Sequence, residues 1–247
     1  MSTLFYRNPV LLNAGQHAAS GLREIRDFSF AREANAIPVN LVEFPLVARH
    51  YPIAFVGGED PYPAAIVGLK EGNLFIDGEG AWKPGCYVPA YVSRYPFIFA
   101  DDKDRGLLSL CIDEEVLTSD GGQPLFEDDK PTAATDRALE FCKSYHAAAL
   151  PTQAFAKAVA DADLLSDRQA TAQLNDGGSF VLTGFKTIDP EKLSKLSGDL
   201  LGDWNAKGWL GPLFTMAQSM TNWGELVDLL AAVDEATVRS KGRKSKN

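Results

Sequence analysis

Two short phrases gather the side chains best suited to chemistry. Val47-Ala48-Arg49-His50-Tyr51-Pro52-Ile53-Ala54-Phe55 and Tyr91-Val92-Ser93-Arg94-Tyr95-Pro96-Phe97-Ile98-Phe99 each set an arginine and a tyrosine ahead of a proline and an apolar run. Arginine is always charged and presents a planar fork of N–H donors, so Arg49 and Arg94 together could clamp a carboxylate or phosphate. His50, Tyr51 and Tyr95 would add a hydrogen bond or a stacking face. The structural alternative is that both arginines satisfy carbonyls at the ends of interrupted helices while both tyrosines fill core. Arg49, His50, Tyr51, Arg94 and Tyr95 are therefore the ligand-binding candidates.

Other constellations assign no catalytic residue, cofactor or metal ligand. His17, His50 and His146 lack a second histidine or a carboxylate at ligand spacing, so no metal site is expected. Asp101-Asp102-Asp104 and Asp113-Glu114-Glu115 could be imagined as a calcium loop or an acid pair. Arg105 stands where a calcium ligand should precede Gly106, and both clusters read as solvated strand ends. Gly57-Gly58, Gly78-Glu79-Gly80 and Gly177-Gly178 match no phosphate-binding pattern and read as turns. There is no GxSxG elbow. Cys86, Cys111 and Cys142 form no CxxC pair and read as buried thiols of a reducing compartment.

Charge narrows the partners. With 24 basic against 33 acidic residues the formal net charge is −9, the wrong sign for general binding to a phosphate backbone, so nucleic acid is not expected. Trp204, Trp209 and Trp223, with Phe214, Met216 and Met220, read first as helix packing; any exposed part would make a docking groove, so the three tryptophans are the partner-binding candidates. Beyond Thr237, the tail with Arg239, Lys241, Arg243, Lys244 and Lys246 reads as disordered and suited to weak contact with a membrane surface or an acidic partner. No stretch approaches the ~18–20 apolar residues of a spanning helix. Met1 to Ala19 lacks the apolar core of a secretory signal, so cytoplasmic residence is the default, with export by a route without a cleaved signal also compatible.

The elements that must position these residues follow from hydrophobic patterning. Short β-branched and aromatic runs separated by Gly, Pro and Asp fill Ile37 to Asp113, predicting strands at Ala64–Leu69, Asn73–Asp77, Phe97–Ala100 and Leu107–Asp113, with turns at Lys70-Glu71-Gly72 and Asp77-Gly78-Glu79-Gly80. Proline disfavours α conformation in the residue before it, so each phrase predicts a helical turn that ends at tyrosine and passes into a strand. Ala138, Phe141, Cys142 and Tyr145 predict a helix over Thr132–Ala149, and Phe155, Val159, Ala162 and Leu165 a second one after Pro151, the two forming an antiparallel pair. Gln169–Leu174 and Ser179–Ile188, joined by Asn175-Asp176-Gly177-Gly178, predict a hairpin that completes the first sheet. Asp189-Pro190-Glu191 predicts a helix start, as does the capping-box pattern Asn222-Trp223-Gly224-Glu225, with Leu226, Leu229, Leu230 and Val233 forming one stripe.

The two phrases, with Asn73-Leu74-Phe75-Ile76-Asp77, Trp82, Tyr87-Val88-Pro89-Ala90-Tyr91, Leu110-Cys111-Ile112-Asp113-Glu114 and Leu182-Thr183-Gly184-Phe185, resemble the bacterial SapC family from about Pro38 to about Val233. The resemblance implies family membership rather than a chemistry. The family takes its name from a gene associated with a crystalline surface layer, and some members are encoded near outer-membrane receptors. A peptide-transporter permease shares the name, but the missing spanning segments exclude that identity.

These readings combine into an α+β expectation: a mixed or mainly antiparallel sheet from the first half plus the later hairpin, covered by C-terminal helices, with residues 1–236 as one domain and 237–247 as a basic tail. The expected function is a non-catalytic binding or accessory protein with an unidentified protein partner, linked through the family to surface-layer or outer-membrane uptake systems. The alternative is an enzyme acting on a small anionic molecule in a pocket around the paired Arg/Tyr-Pro segments.

Overall fold

Proline placement sets the frame. The structure, a computed structural model, describes residues 4–69, 72–102, 107–173 and 179–244, without the side chains of 101, 102, 107, 170–173, 179–182 and 234–244. Strand β1 (Pro9–Leu11) leads through the single turn α1 (Ala14–His17), capped by the Asn13 side chain, to β2 (Gly21–Leu22) and β3 (Ala36–Pro38). A tight turn over Leu41–Glu43 continues as α2 (Phe44–Val47) and passes Tyr51-Pro52 into β4 (Ile53–Val56), which β5 (Tyr62–Ile66) follows. In the same way α3 (Ala90–Ser93) passes Tyr95-Pro96 into β6 (Phe97–Asp102), followed by β7 (Leu107–Asp113). Both phrases thus make the helix-to-strand joins expected of them.

Four two-residue strands come next: β8 (Leu117–Thr118), β9 (Gln123–Pro124), β10 (Phe126–Glu127) and β11 (Lys130–Pro131). They precede the long helix α4 (Ala133–Asp161), capped by Thr132. The hairpin of β12 (Leu165–Gln173) and β13 (Ser179–Ile188) follows, its turn residues 174–178 lying outside the described residues. Helices α5 (Pro190–Ser194), α6 (Gly198–Ala206), α7 (Leu210–Ser219) and α8 (Trp223–Lys244) close the chain. Asp189 caps α5 by accepting the N–H groups of Glu191 and Lys192, as its sequence implies.

The strands are antiparallel, and the first half divides between two sheets instead of building one. A five-stranded sheet runs β12-β13-β4-β5-β3, with the hairpin completing it as expected, while β6 and β7 join the N-terminal strand in a three-stranded sheet β1-β7-β6. The small strand β2 pairs with β8 and β9 on its two sides, and a Cβ at Gly21 would collide with the Gly121 carbonyl, so glycine is what lets these backbones meet. Helix α7 packs on β4 and β13, and α4 reaches both β5 and β6. The main core lies beneath them, with Phe44, Phe55, Tyr51, Phe155 and Leu213 fully enclosed; a smaller core of Phe97, Ile112, Val116, Leu125 and Cys142 sits between the three-stranded sheet and the start of α4.

Three expectations change. Pro151 does not divide two helices: α4 runs through it, with the ring on the exposed side. Its neighbour Thr152 is buried, donates to the Ala148 carbonyl at 2.8 Å and accepts the Leu41 N–H at 3.0 Å, so tertiary bonds hold the helix across the missing N–H. Asn73–Asp77 is a turn and not a strand. The Asn73 side chain accepts the Phe75 N–H at 2.9 Å and Asp77 accepts those of Glu79 and Ala81 at 2.9 Å, taking donors that a ladder would use and leaving a bridge between Ile76 and Trp82. Finally, α8 extends to Lys244, through most of the basic stretch read as disordered, because Ala, Arg and Lys favour helix and no proline interrupts the run.

Candidate functional site

The first phrase builds a buried polar hub. Tyr51 is enclosed, its hydroxyl donating to the Tyr87 carbonyl at 2.6 Å and accepting the Trp82 indole N–H at 3.0 Å, while its ring meets Phe75 edge-on at 4.6 Å. Burial pushes the Tyr51 hydroxyl up. His50 is half-buried, and desolvation with nearby Arg49 pulls its ring below the usual histidine range, favouring the neutral form. Arg49 is exposed. Asn222 donates to the Ala48 carbonyl at 2.8 Å, and Glu225 pairs with Lys83 at 2.6 Å, so the side chains of the predicted capping box tie α8 to this region.

A residue the sequence reading missed joins the two phrases. Glu43, buried at the head of α2, accepts the N–H of Asn40 at 2.9 Å, the N–H of Ala90 at 2.7 Å and the Tyr87 hydroxyl at 3.1 Å. It thereby caps its own turn and holds the first residue of α3. Asn40-x-x-Glu43 is a capping-box spacing, so its local role was legible; its bond to Ala90, 47 positions away, was not.

The second phrase places its arginine very differently. Arg94 is only 7% exposed, with its guanidinium carbon 4.0 Å from the Tyr91 ring centre, 4.5 Å from that of Tyr145 and 5.8 Å from that of Tyr6. Its Nε and Nη2 are closed to solvent and have no hydrogen-bond partner among the described residues. Burial drives the hydroxyls of Tyr6 and Tyr145 up, so these two rings carry no negative charge to set against the guanidinium. Tyr95 stacks on Phe30 at 4.1 Å, and its hydroxyl, pushed up to about 12 by burial and by Asp113, donates to that carboxylate at 3.3 Å. Asp113, read from sequence as part of a solvated strand end, is fully buried and also accepts the N–H groups of Arg7 and Asn8 at 3.1 Å. The cluster Asp101-Asp102-Asp104 falls where side chains are not described.

Arg49 and Arg94 therefore do not converge: one lies on the surface, the other in a tyrosine cage, and the two-arginine clamp is not assembled. Arg94 does line a solvent-open cleft of about 650 Å3 between the helix-to-strand join at Pro96, the segment after β2 and the first half of α4. Its walls include Leu22, Ile25, Phe97 and Phe141, with Arg23 exposed at the rim. Tyr91 stands three residues before Arg94, a helical spacing visible in sequence, whereas Tyr6 and Tyr145 arrive only through tertiary folding.

The tryptophans also separate. Trp204 is buried and packs edge-on against Trp209 at 6.0 Å, with Trp209 against Phe155 at 6.0 Å, so Trp204 is core and not a docking residue. Trp223 lines a second groove, of about 540 Å3, with Phe185, Met220 and Val227, its ring centre 5.1 Å from that of Phe185, and Arg168 on the hairpin side. The cysteines are free thiols; Cys111 and Cys142 are buried, whereas Cys86 is half-buried. Among the described residues no group of three or more His, Cys, Asp and Glu side chains could hold a metal ion, and no helix is long and apolar enough to cross a membrane.

These features define an α+β protein of antiparallel sheets and covering helices, with a cleft lined in part by Arg94 beside the second Arg-Tyr-Pro join. The SapC family model matches residues 12–226, and the chain belongs to the SapC family. No curated protein and no solved structure matches it.

Proposed function

We propose that this protein is a non-catalytic binding or accessory protein that holds an anionic ligand in the Arg94 cleft. The observation carrying this reading is Arg94, a residue that lines an open cleft and whose guanidinium Nε and Nη2 have no hydrogen-bond partner among the described residues. Buried polar groups are nearly always bonded, so two unbonded guanidinium nitrogens call for an explanation, and a bound anion is one. The surrounding groups favour holding over reacting. Tyr95 is pushed up to about 12 and Cys142 to about 11 by burial, far from the pKa near neutrality that suits a general acid or base. Free thiols fit a reducing cytoplasm, and an accessory role beside surface-layer or outer-membrane uptake systems agrees with what the family name implies. The groove with Trp223 supports a protein partner as a second reading, since Trp and Met are enriched where interfaces bury their centres.

The test is native mass spectrometry of the full chain purified from its own cell, beside Arg94→Lys and Trp223→Ala. A small anionic adduct lost in Arg94→Lys supports the reading. Conversion of that molecule by the wild-type chain, abolished in the same variant, would make the protein an enzyme and overturn it.

A further inference from the structure

The geometry points to a specific ligand class for the Arg94 cleft: a monocarboxylate carried on an apolar body. This rests on the cleft being an anion site, and adds which anion. The guanidinium is recognised in its plane, because the rings of Tyr91 and Tyr145 approach its carbon to 4.0 and 4.5 Å. Nε and Nη2, the two atoms without partners, form one edge of the fork, and their parallel N–H groups match the two oxygens of a planar carboxylate. The charge also fits. One guanidinium balances a single negative charge, whereas a phosphate monoester at neutral pH brings about 1.5 to 2. Beyond Arg94 much of the wall is hydrocarbon, from Leu22, Ile25, Phe97 and Phe141, with Arg23, Glu24 and Gln123 in its polar part. Ile25 and Phe141 are among the exposed large apolar side chains, at 38% and 40% exposure, and both lie on this cleft. Polar end and apolar walls together select an arylalkanoate or a medium-chain fatty acid over a small hydrophilic acid. Because Nε and Nη2 are closed to solvent, binding includes a side-chain movement that turns their edge toward the cleft.

Calorimetric titration of the full chain with 3-phenylpropionate, decanoate, acetate, phenyl phosphate and inorganic phosphate tests this, together with the Arg Nε–H signals in NMR spectra. Phenylpropionate or decanoate should bind at least tenfold more tightly than acetate or either phosphate, shift one arginine Nε–H signal absent from Arg94→Lys, and lose about tenfold in affinity in Phe141→Ala. Ala138→Trp, a substitution on the half-buried cleft wall, should block binding and serves as the control if Arg94→Lys does not fold. Phosphates binding as well as the apolar acids in an Arg94-dependent way would overturn the carboxylate assignment and leave the anion site standing. No binding of any probe at millimolar concentration, or binding unchanged in Phe141→Ala and Ala138→Trp, would remove the assignment and the anion site together.

Discussion

Arg94→Met separates a guanidinium kept for a ligand from one that holds the fold. Methionine keeps the length and packing against Tyr91 and Tyr145 but removes the charge and its donors. Two buried nitrogen donors with no acceptor among the described residues cost about 1–3 kcal/mol each. Against this, two desolvated contacts with tyrosine rings at 4.0 and 4.5 Å return about 2 kcal/mol each. The two sides nearly cancel, so Arg94→Met is expected to leave stability within about 2 kcal/mol of the parent, equivalent to a Tm shift of at most about 8 °C in a chain near this size. Urea unfolding followed by tryptophan fluorescence, with the denaturant slope checked for constancy, reads this directly. A loss above about 3 kcal/mol, the signature of breaking a paired buried charge, would refute the argument that the guanidinium is kept for a ligand.

Three further outcomes follow from buried polar contacts. Ser219 accepts the Ile53 N–H at 2.9 Å and donates to the Met216 carbonyl at 2.7 Å; Ser219→Ala orphans a strand donor and should cost about 1–3 kcal/mol in urea unfolding. Burial raises the Glu43 carboxyl above the usual range despite its three donors, so its stabilising contribution is complete below the unfolded glutamate pKa and is lost as pH rises through the higher folded value. The stability of Glu43→Gln relative to the parent should therefore improve between about pH 4 and 8, and an opposite slope in denaturation midpoints would contradict the assigned direction. Asp113→Ala removes the acceptor of Arg7 and Asn8, and amide exchange at those positions should accelerate by about tenfold or more, from the roughly 1.5–3 kcal/mol of a bond to a charged group.

Where a local signal sufficed, the sequence was informative. Pro52 and Pro96 announce the two helix-to-strand joins, Asp189-Pro190 the start of α5, and the apolar run to Ile188 the strand that completes the larger sheet. Failures came where a distant contact outweighed local preference. Pro151 reads as a helix start, but Thr152 is tied to Leu41, 111 positions away. The acids at Asp113–Glu115 read as solvated, but β1 folds over the first of them. At the site, the likeness of the phrases suggested that their arginines would act together, and sequence similarity could not show that one faces water while three tyrosines enclose the other. Tyr6 and Tyr145 carry no pattern linking them to Arg94, since the cage is made by packing between distant parts of the chain.

The order of β12-β13-β4-β5-β3 governs how the chain can assemble as it is synthesised. Strand β4 lies between β5, its near neighbour, and β13, which begins more than a hundred residues later; the Ile53 N–H waits longer still, for Ser219. Until those residues leave the ribosome, one side of an apolar strand has no cover, and unpaired apolar edges are where nascent chains associate. The sheet therefore closes late. Fragments that stop short of β13 leave β4 with one uncovered edge, so the C-terminal third is what seals the sheet.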